Sequence, residues 1–101
     1  MTRNFEEFRK LIDEHPAALI VLATYTREEF EELRPGEDYA EFKRTERVFM
    51  EEVAAAGYQD RFVFQEIDSV GYYRWLADNH LPNIESSRAW YVAQIYQKKN
   101  L

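Results

Sequence analysis

The pattern of apolar and polar positions along the chain predicts helices separated by two short strands. Apolar residues recur at helical spacing over residues 5–12, Asn4 precedes them as a capping residue, and Pro16 ends this first helix. Residues 17–25 are almost continuously apolar, which indicates a strand that is buried on both faces. A buried helix that runs on to Glu28 is the alternative.

Capping residues mark where the next two helices begin. Thr26 and Glu29 form a capping box, which favours a strand before them and a new, short helix after them. Residues 34–37 contain Pro-Gly and predict a tight turn. Asp38 then caps a long amphipathic helix, and Gly57 supplies the left-handed residue that ends it.

The second half of the chain repeats this succession of a strand and two helices. Residues 61–67 alternate between apolar and polar side chains and predict the second strand. Asp68 or Ser69 caps the helix that follows. The last helix is expected to begin at a Ser86 cap and to end near Lys98.

The order helix, strand, helix, helix, strand, helix, helix predicts one α+β domain over residues 1–101. In it, a small two-stranded sheet is covered by about five helices. The direction of the strands stays open at this point. A single crossover helix would make the pair parallel, whereas two full helices would return the chain antiparallel.

Composition limits the class of protein. The chain has no cysteine, which excludes disulfides, thiolate catalysis and cysteine-based metal sites and favours a reducing compartment, the cytoplasm. It begins directly on an amphipathic pattern, so we expect neither a leader peptide nor a membrane span. Seven Phe, seven Tyr and two Trp are more aromatic residues than so small an interior can bury, so some should reach the surface.

The net charge of −6 is unevenly distributed. Residues 1–68 carry a net charge of −8, and residues 69–101 carry +2. The acidic majority argues against direct binding of nucleic acid, which requires a basic surface.

Motifs for catalysis or for a cofactor are missing from the sequence. None of the three serines lies in a G-x-S-x-G elbow, and the three glycines are too widely spaced for a phosphate-binding loop. We therefore expect no cofactor and favour a protein that is not an enzyme. A small enzyme or ligand-binding domain that uses Glu and His side chains in a cleft is the alternative.

A run of carboxylates forms a predicted acidic face. Its residues are Glu28, Glu29, Glu32, Glu37 and Glu41. The simplest interpretation is a solvated surface with carboxylates at helix N-termini. The spacing matches no calcium loop or zinc motif, although a hard cation would find oxygen ligands here. A further hypothesis is that this face mimics nucleic acid or inhibits a basic, nucleic-acid-binding protein.

The last third of the chain mixes aromatic and basic residues, the types that dominate protein-binding surfaces. The predicted partner-binding residues are Tyr72, Arg74, Trp75, His80, Arg88, Trp90 and Tyr91. Residues 89–96 are apolar at seven of eight positions, so this helix should be buried on all sides, in part by a second molecule. The alternative is that these aromatics complete an undersized core. The leading hypothesis is a small intracellular protein-binding module, either a regulator or inhibitor of another protein or a homodimer.

Overall fold

The computed structural model describes residues 5–100, so the cap predicted at Asn4 lies outside the described residues. The elements are α1 (Phe5–Glu14), β1 (Ile20–Thr24), α2 (Arg27–Leu33), α3 (Tyr39–Ala55), a 3₁₀ turn (Gln59–Arg61), β2 (Phe62–Glu66), α4 (Ser69–Asn79) and α5 (Glu85–Lys99). Over this range the chain has five α-helices and one two-stranded sheet. The predicted α+β class and the predicted order of elements are confirmed.

The two strands pair in parallel. Beyond the strand ends, the Ile67 N–H donates to the Thr24 carbonyl at 3.1 Å. Both α2 and α3 lie between the strands, so the expectation that two full helices would make the pair antiparallel is wrong. The reason is length. α2 has seven residues and spans about 10 Å, whereas α3 has 17 residues and spans about 25 Å, which by itself is long enough to return the chain along a five-residue strand of about 17 Å.

Three helices begin at the capping residues that the sequence predicts. Thr26 accepts from the Glu29 N–H at 3.2 Å, with the reciprocal bond of a capping box. Asp38 caps α3, and Asp68 rather than Ser69 caps α4. The φ angle of Gly57, 81°, places it in the left-handed conformation expected after α3.

The predicted Ser86 cap is wrong. α5 begins one residue earlier, at Glu85, and its N-cap is Ile84, whose side chain accepts no hydrogen bond. Ile84 has the extended conformation of a capping residue, and its carbonyl accepts from the Arg88 N–H at 3.1 Å. Ser86 therefore lies inside the first turn, and the first amides of α5 have no capping side chain.

The chain divides into two compact units. The first unit comprises the described residues up to Ile20 together with Asp38–Val63, and the second comprises Val21–Glu37 together with the described residues from Phe64 onward. That the whole chain is one domain stays a prediction.

Aromatic rings fill the interior of the first unit. The ring of Phe49 lies 5.6 Å from that of Phe8 and 5.5 Å from that of Phe62, in edge-to-face geometry. Such pairs stabilise by about 0.5–1.5 kcal/mol beyond the area they bury. The Arg61 guanidinium donates to the carbonyls of His15 and Ala18, which fixes the segment between α1 and β1.

The second unit has a core of large side chains from α2, α4 and α5 and from the residue that follows β2. Phe30, Leu33, Ile67, Tyr72 and Val92 are at most 1% exposed. Tyr72 and Leu76 lie four residues apart on the inner face of α4, as the helical period requires. α2, α4 and α5 therefore share one interior.

Replacement of His80 by glycine tests the end of α4. His80 is the C-cap, with φ 54° and ψ 45°, a left-handed conformation in which a side chain is strained. We expect His80→Gly to raise the free energy of unfolding by about 0.5–1 kcal/mol in urea denaturation. The control Ala77→Gly, at an exposed position within α4, should lower it by about 1 kcal/mol. Equal effects of the two changes would contradict the role of the left-handed conformation.

Candidate functional site

Two of the predicted partner-binding aromatics belong to the core of the second unit. Tyr72 is 0% exposed and Tyr91 is 8% exposed. Their ring centroids lie 5.3 Å apart, and the Tyr91 ring lies 5.4 Å from that of Trp75. Tyr72 and Tyr91 thus pack α4 against α5 below the surface.

Trp75 on α4 and Trp90 on α5, here called the tryptophan pair, contact each other at the surface of these helices. Their rings meet edge to face at 5.5 Å and 88°. Trp75 is half-buried against Tyr72 and Tyr91, whereas Trp90 is 55% exposed. A rigid, supported aromatic ring therefore projects from α5.

The remaining predicted partner-binding residues divide between surface and interior. Arg74 and His80 are exposed on α4 and at its end. Arg88 is buried, at 8% exposure. The structure thus places Trp75, Trp90, Arg74 and His80 at or near the surface and brings Arg88 inside. That any of these residues binds a partner stays a prediction.

Within the single chain, α5 is buried on one face, so the expectation that a second molecule completes its cover stays a prediction. Ala89 and Trp90 are exposed, although Tyr91 and Val92 beside them are buried. One face of the helix packs on the core of the second unit and the opposite face is open, because successive residues point 100° apart around a helix.

Asp68 joins the beginning of α4 to α5. Its Oδ2 accepts from the Gly71 N–H at 2.9 Å, and its Oδ1 accepts from the Tyr91 hydroxyl at 2.8 Å. Burial, with the bond to the Asp68 carboxylate, raises the pKa of Tyr91. The D-x-x-G sequence indicates the helix cap, but nothing in the sequence indicates the bond to Tyr91.

Asn83 joins three helices of the second unit. Its Oδ1 accepts from the Tyr72 hydroxyl at 2.9 Å and from Arg88 Nη1 at 2.8 Å. Its Nδ2 donates to the Leu33 carbonyl at the end of α2, also at 2.8 Å. The sequence marks Asn83 only as a turn residue, so sequence reasoning missed this role.

Arg34 and Glu37 form a bidentate ion pair after α2. Arg34 Nε and Nη2 donate to the two carboxylate oxygens of Glu37 at 2.8 and 2.6 Å. The Arg34 guanidinium also lies 5.6 Å from the Phe30 ring centroid and 6.0 Å from that of Tyr25. The hydrogen bonds from Arg34 lower the pKa of Glu37, and the charge of Arg88 lowers it further. The sequence indicated Glu37, but not its partner.

The five residues of the predicted acidic face differ in their exposure and in their hydrogen-bond and ion-pair partners. Glu28 and Glu32 are exposed on α2, and Glu29 is engaged in the Thr26 capping box. Glu37 is paired with Arg34, as described above. Glu41 belongs to the first unit, where it pairs with Arg44. Ion pairs thus neutralise part of this negative charge.

Residues 5–100 contain neither a metal-binding cluster nor a membrane-spanning helix. In that range no three His, Asp or Glu side chains are arranged to hold a metal ion. None of the helices in the same range is both long enough and apolar enough to cross a membrane.

Comparisons with known proteins give no relative for this chain. No protein-family model, curated protein sequence or solved structure matches it.

Gly71→Ala tests the contact of Asp68 with both helices. A Cβ at this position would lie 2.2 Å from Asp68 Oδ2 and 2.6 Å from the Tyr91 hydroxyl, closer than atoms can approach. We expect the free energy of unfolding to fall by about 1–3 kcal/mol, despite the better helix propensity of alanine. The control Val70→Ala, at a 74% exposed position, should change it by less than about 0.5 kcal/mol. A neutral Gly71→Ala would contradict this packing.

Alkaline unfolding tests the bond between Tyr91 and Asp68. The pKa of Tyr91 is raised in the folded protein above its ordinary value of 10.0, so its stabilising contribution is complete below pH 10 and is lost as the pH rises further. Tyr91→Phe removes this contribution. We expect the wild type to lose stability above pH 10 more steeply than Tyr91→Phe in urea unfolding measured against pH. Parallel curves would contradict the assignment.

Proposed function

We propose that this protein is a binding module that acts on another protein, or on a second copy of itself, without catalysis. The tryptophan pair is the centre of its binding surface. The observation that carries the proposal is the 55% exposure of Trp90, whose ring packs against that of Trp75, which in turn packs against the buried Tyr91.

Energetic considerations support this surface. When a partner covers an exposed indole, the apolar surface that is removed from water stabilises the complex by about 25 cal/mol per Å². Because Trp90 already packs edge-on against Trp75, it loses less side-chain freedom on binding than an unsupported residue would. Trp is also among the residue types most enriched where binding energy is concentrated.

The surrounding charge favours an acidic partner surface. Residues 69–101 carry a net charge of +2 in a chain of net charge −6, and Arg74 and His80 are exposed on α4 and at its end. Basic and aromatic side chains together suit a protein partner with an apolar recess and an acidic rim. The net negative charge of the whole chain speaks against direct binding of nucleic acid.

The two alternative functions draw less support from the structure. General acid catalysis requires a carboxyl group whose pKa is raised, whereas Arg34 shifts the pKa of Glu37 downward. A nucleic-acid mimic requires an array of unpaired carboxylates, and Glu37 and Glu41 are each engaged by an arginine. Both alternatives, and the cytoplasmic location, stay predictions.

Trp90→Ala tests the proposal. The experiment is capture of partners by the tagged full chain from lysate of its own cells, after nuclease treatment, with light scattering on the purified chain to detect self-association. We expect the variant to lose the stoichiometric partner, or the dimer, with affinity weakened about tenfold or more. Its fold should survive, because Trp90 is half-exposed, with a stability loss of about 1 kcal/mol.

Two controls distinguish binding through the tryptophan pair from a nonspecific effect of losing an exposed apolar side chain and from binding through the acidic face. Val48→Ala removes a 44% exposed apolar side chain from α3 and should leave binding unchanged. Binding through the tryptophan pair, which has two exposed basic residues on and at the end of α4, should weaken less with salt than binding through the acidic face. A partner retained by Trp90→Ala, or one that dissociates at high salt regardless of Trp90, would contradict the proposal.

A further inference from the structure

The outer face of α5 lies opposite the face that packs on the core of the second unit. At about 100° per residue, five side chains of this helix fall within an arc of about 100°. These residues, here called the outer face of α5, are Ser86, Ala89, Trp90, Ala93 and Gln97; four of them are exposed and Ala93 is half-buried. None of them is charged, and the segment 89–97 contains no charged side chain at all. A helix face that stays in water normally carries charged residues, so this face has the character of a surface that another molecule covers.

The exposed charges of α5 lie at its two ends. Glu85 is the first residue of the helix, and Lys98 and Lys99 are its last two. The other charged residue of the helix, Arg88, is buried. Among residues 5–100, no ion pair includes Glu85, Lys98 or Lys99. One end of the helix is therefore acidic and the other basic, with no exposed charge between them.

This distribution of charge makes α5 complementary to a second copy of itself in one direction. When two copies pack with their helices antiparallel, Glu85 of each copy faces Lys98 and Lys99 of the other, and the two-fold symmetry forms this contact twice. A parallel pair would instead place Glu85 beside Glu85 and the lysines beside lysines, which is repulsive. Antiparallel helix dipoles favour the same direction.

The alignment that pairs these charges also matches side-chain sizes along the face. Residue numbers rise along one helix and fall along the other, so an alignment with Glu85 opposite Lys98 also sets Trp90 opposite Ala93. The large indole of each copy then meets a small side chain of the other, which leaves room for it. Trp90 is 55% exposed and packs against Trp75, so its ring is ordered before the two copies meet.

From this complementarity we infer that the outer face of α5 binds the same face of a second copy, with the two helices antiparallel about a two-fold axis. The inference rests on the proposed function and deepens it, because it identifies the partner of the tryptophan pair as a second copy of the chain. The contact follows a helix of 15 residues, about 22 Å long, which is short for a stable dimer. The net charge of −6 on each copy also opposes association, so we expect a weak dimer that dissociates on dilution.

Sedimentation equilibrium of the purified full chain, over about 1 μM to 1 mM, tests whether the chain forms a dimer. We expect an equilibrium between monomer and dimer with no larger species, because a contact between identical faces closes on itself. A chain that stays monomeric throughout this range, or that forms trimers or longer assemblies, would overturn the inference.

Single cysteines test the antiparallel alignment, because the chain has no cysteine of its own. In the inferred pair, the two copies of residue 93 are offset along the helix axis by about 4.5 Å, and the two copies of residue 86 by about 16 Å. A disulfide requires Cα atoms less than about 7 Å apart. We therefore expect oxidised Ala93→Cys to form a covalent dimer, and Ser86→Cys to form one only when it is mixed with Gln97→Cys. Self-linking of Ser86→Cys as efficient as that of Ala93→Cys would indicate a parallel pair and contradict the alignment.

Charge reversal tests the contact between the ends of the two helices. Glu85→Lys should weaken dimerisation about threefold to tenfold, since each copy then places a lysine against the lysines of the other. Addition of Lys98→Glu and Lys99→Glu to the same chain restores the complementarity and should return the dissociation constant to near the wild-type value.

Glu28→Lys is the matched control for Glu85→Lys. It makes the same change of net charge in the first turn of α2 and should not weaken dimerisation. Circular dichroism establishes that each variant is folded. Equal weakening by Glu28→Lys and Glu85→Lys, or no recovery in the triple variant, would count against the contact.

Trp90→Ala distinguishes failure of this inference from failure of the proposed function. A monomeric chain that captures a different protein through Trp90 would overturn the inference and leave the proposed function in place. A dimer that keeps the expected cross-links in Trp90→Ala would support the antiparallel contact and contradict the proposed role of the tryptophan pair.

Discussion

The hydrogen bonds of Asn83 are the constraint on which the second unit depends. A single amide side chain accepts from α4 through Tyr72, accepts from α5 through Arg88, and donates to the last turn of α2 at Leu33. Each partner is buried or is a main-chain group at a helix end. Removal of Asn83 would leave the Tyr72 hydroxyl, Arg88 Nη1 and the Leu33 carbonyl without these hydrogen bonds, and the cost is greatest at the buried Tyr72 and Arg88.

This constraint also sets the rotation of α5 about its axis. Because Arg88 bonds to Asn83 and Tyr91 bonds to Asp68, the buried face of the helix consists of Ser87, Arg88, Tyr91 and Val92. Trp90 therefore lies on the opposite, exposed face of α5. The exposed indole and the buried guanidinium are therefore two consequences of one arrangement.

The candidate site was partly predictable from the sequence. Composition alone indicated the tryptophans, since aromatic residues among basic ones are typical of binding surfaces. It could not distinguish Trp90 from Tyr91, adjacent residues of similar character that point to different sides of α5. Asn83, Arg34 and Asp68 were missed as contact residues because their partners lie in other helices, at separations that leave no periodic signal.

Local chemistry was enough to determine the elements of this protein. The caps at Thr26, Asp38 and Asp68, the positive φ of Gly57 and the alternation in β2 depend on neighbouring residues, so the sequence alone specified the α+β class and the order of its helices and strands. Only the tertiary structure decided the parallel pairing, the start of α5 at Glu85 and the side of α5 that faces inward. These features depend on helix length and on contacts between residues distant in the chain, which a local pattern does not encode.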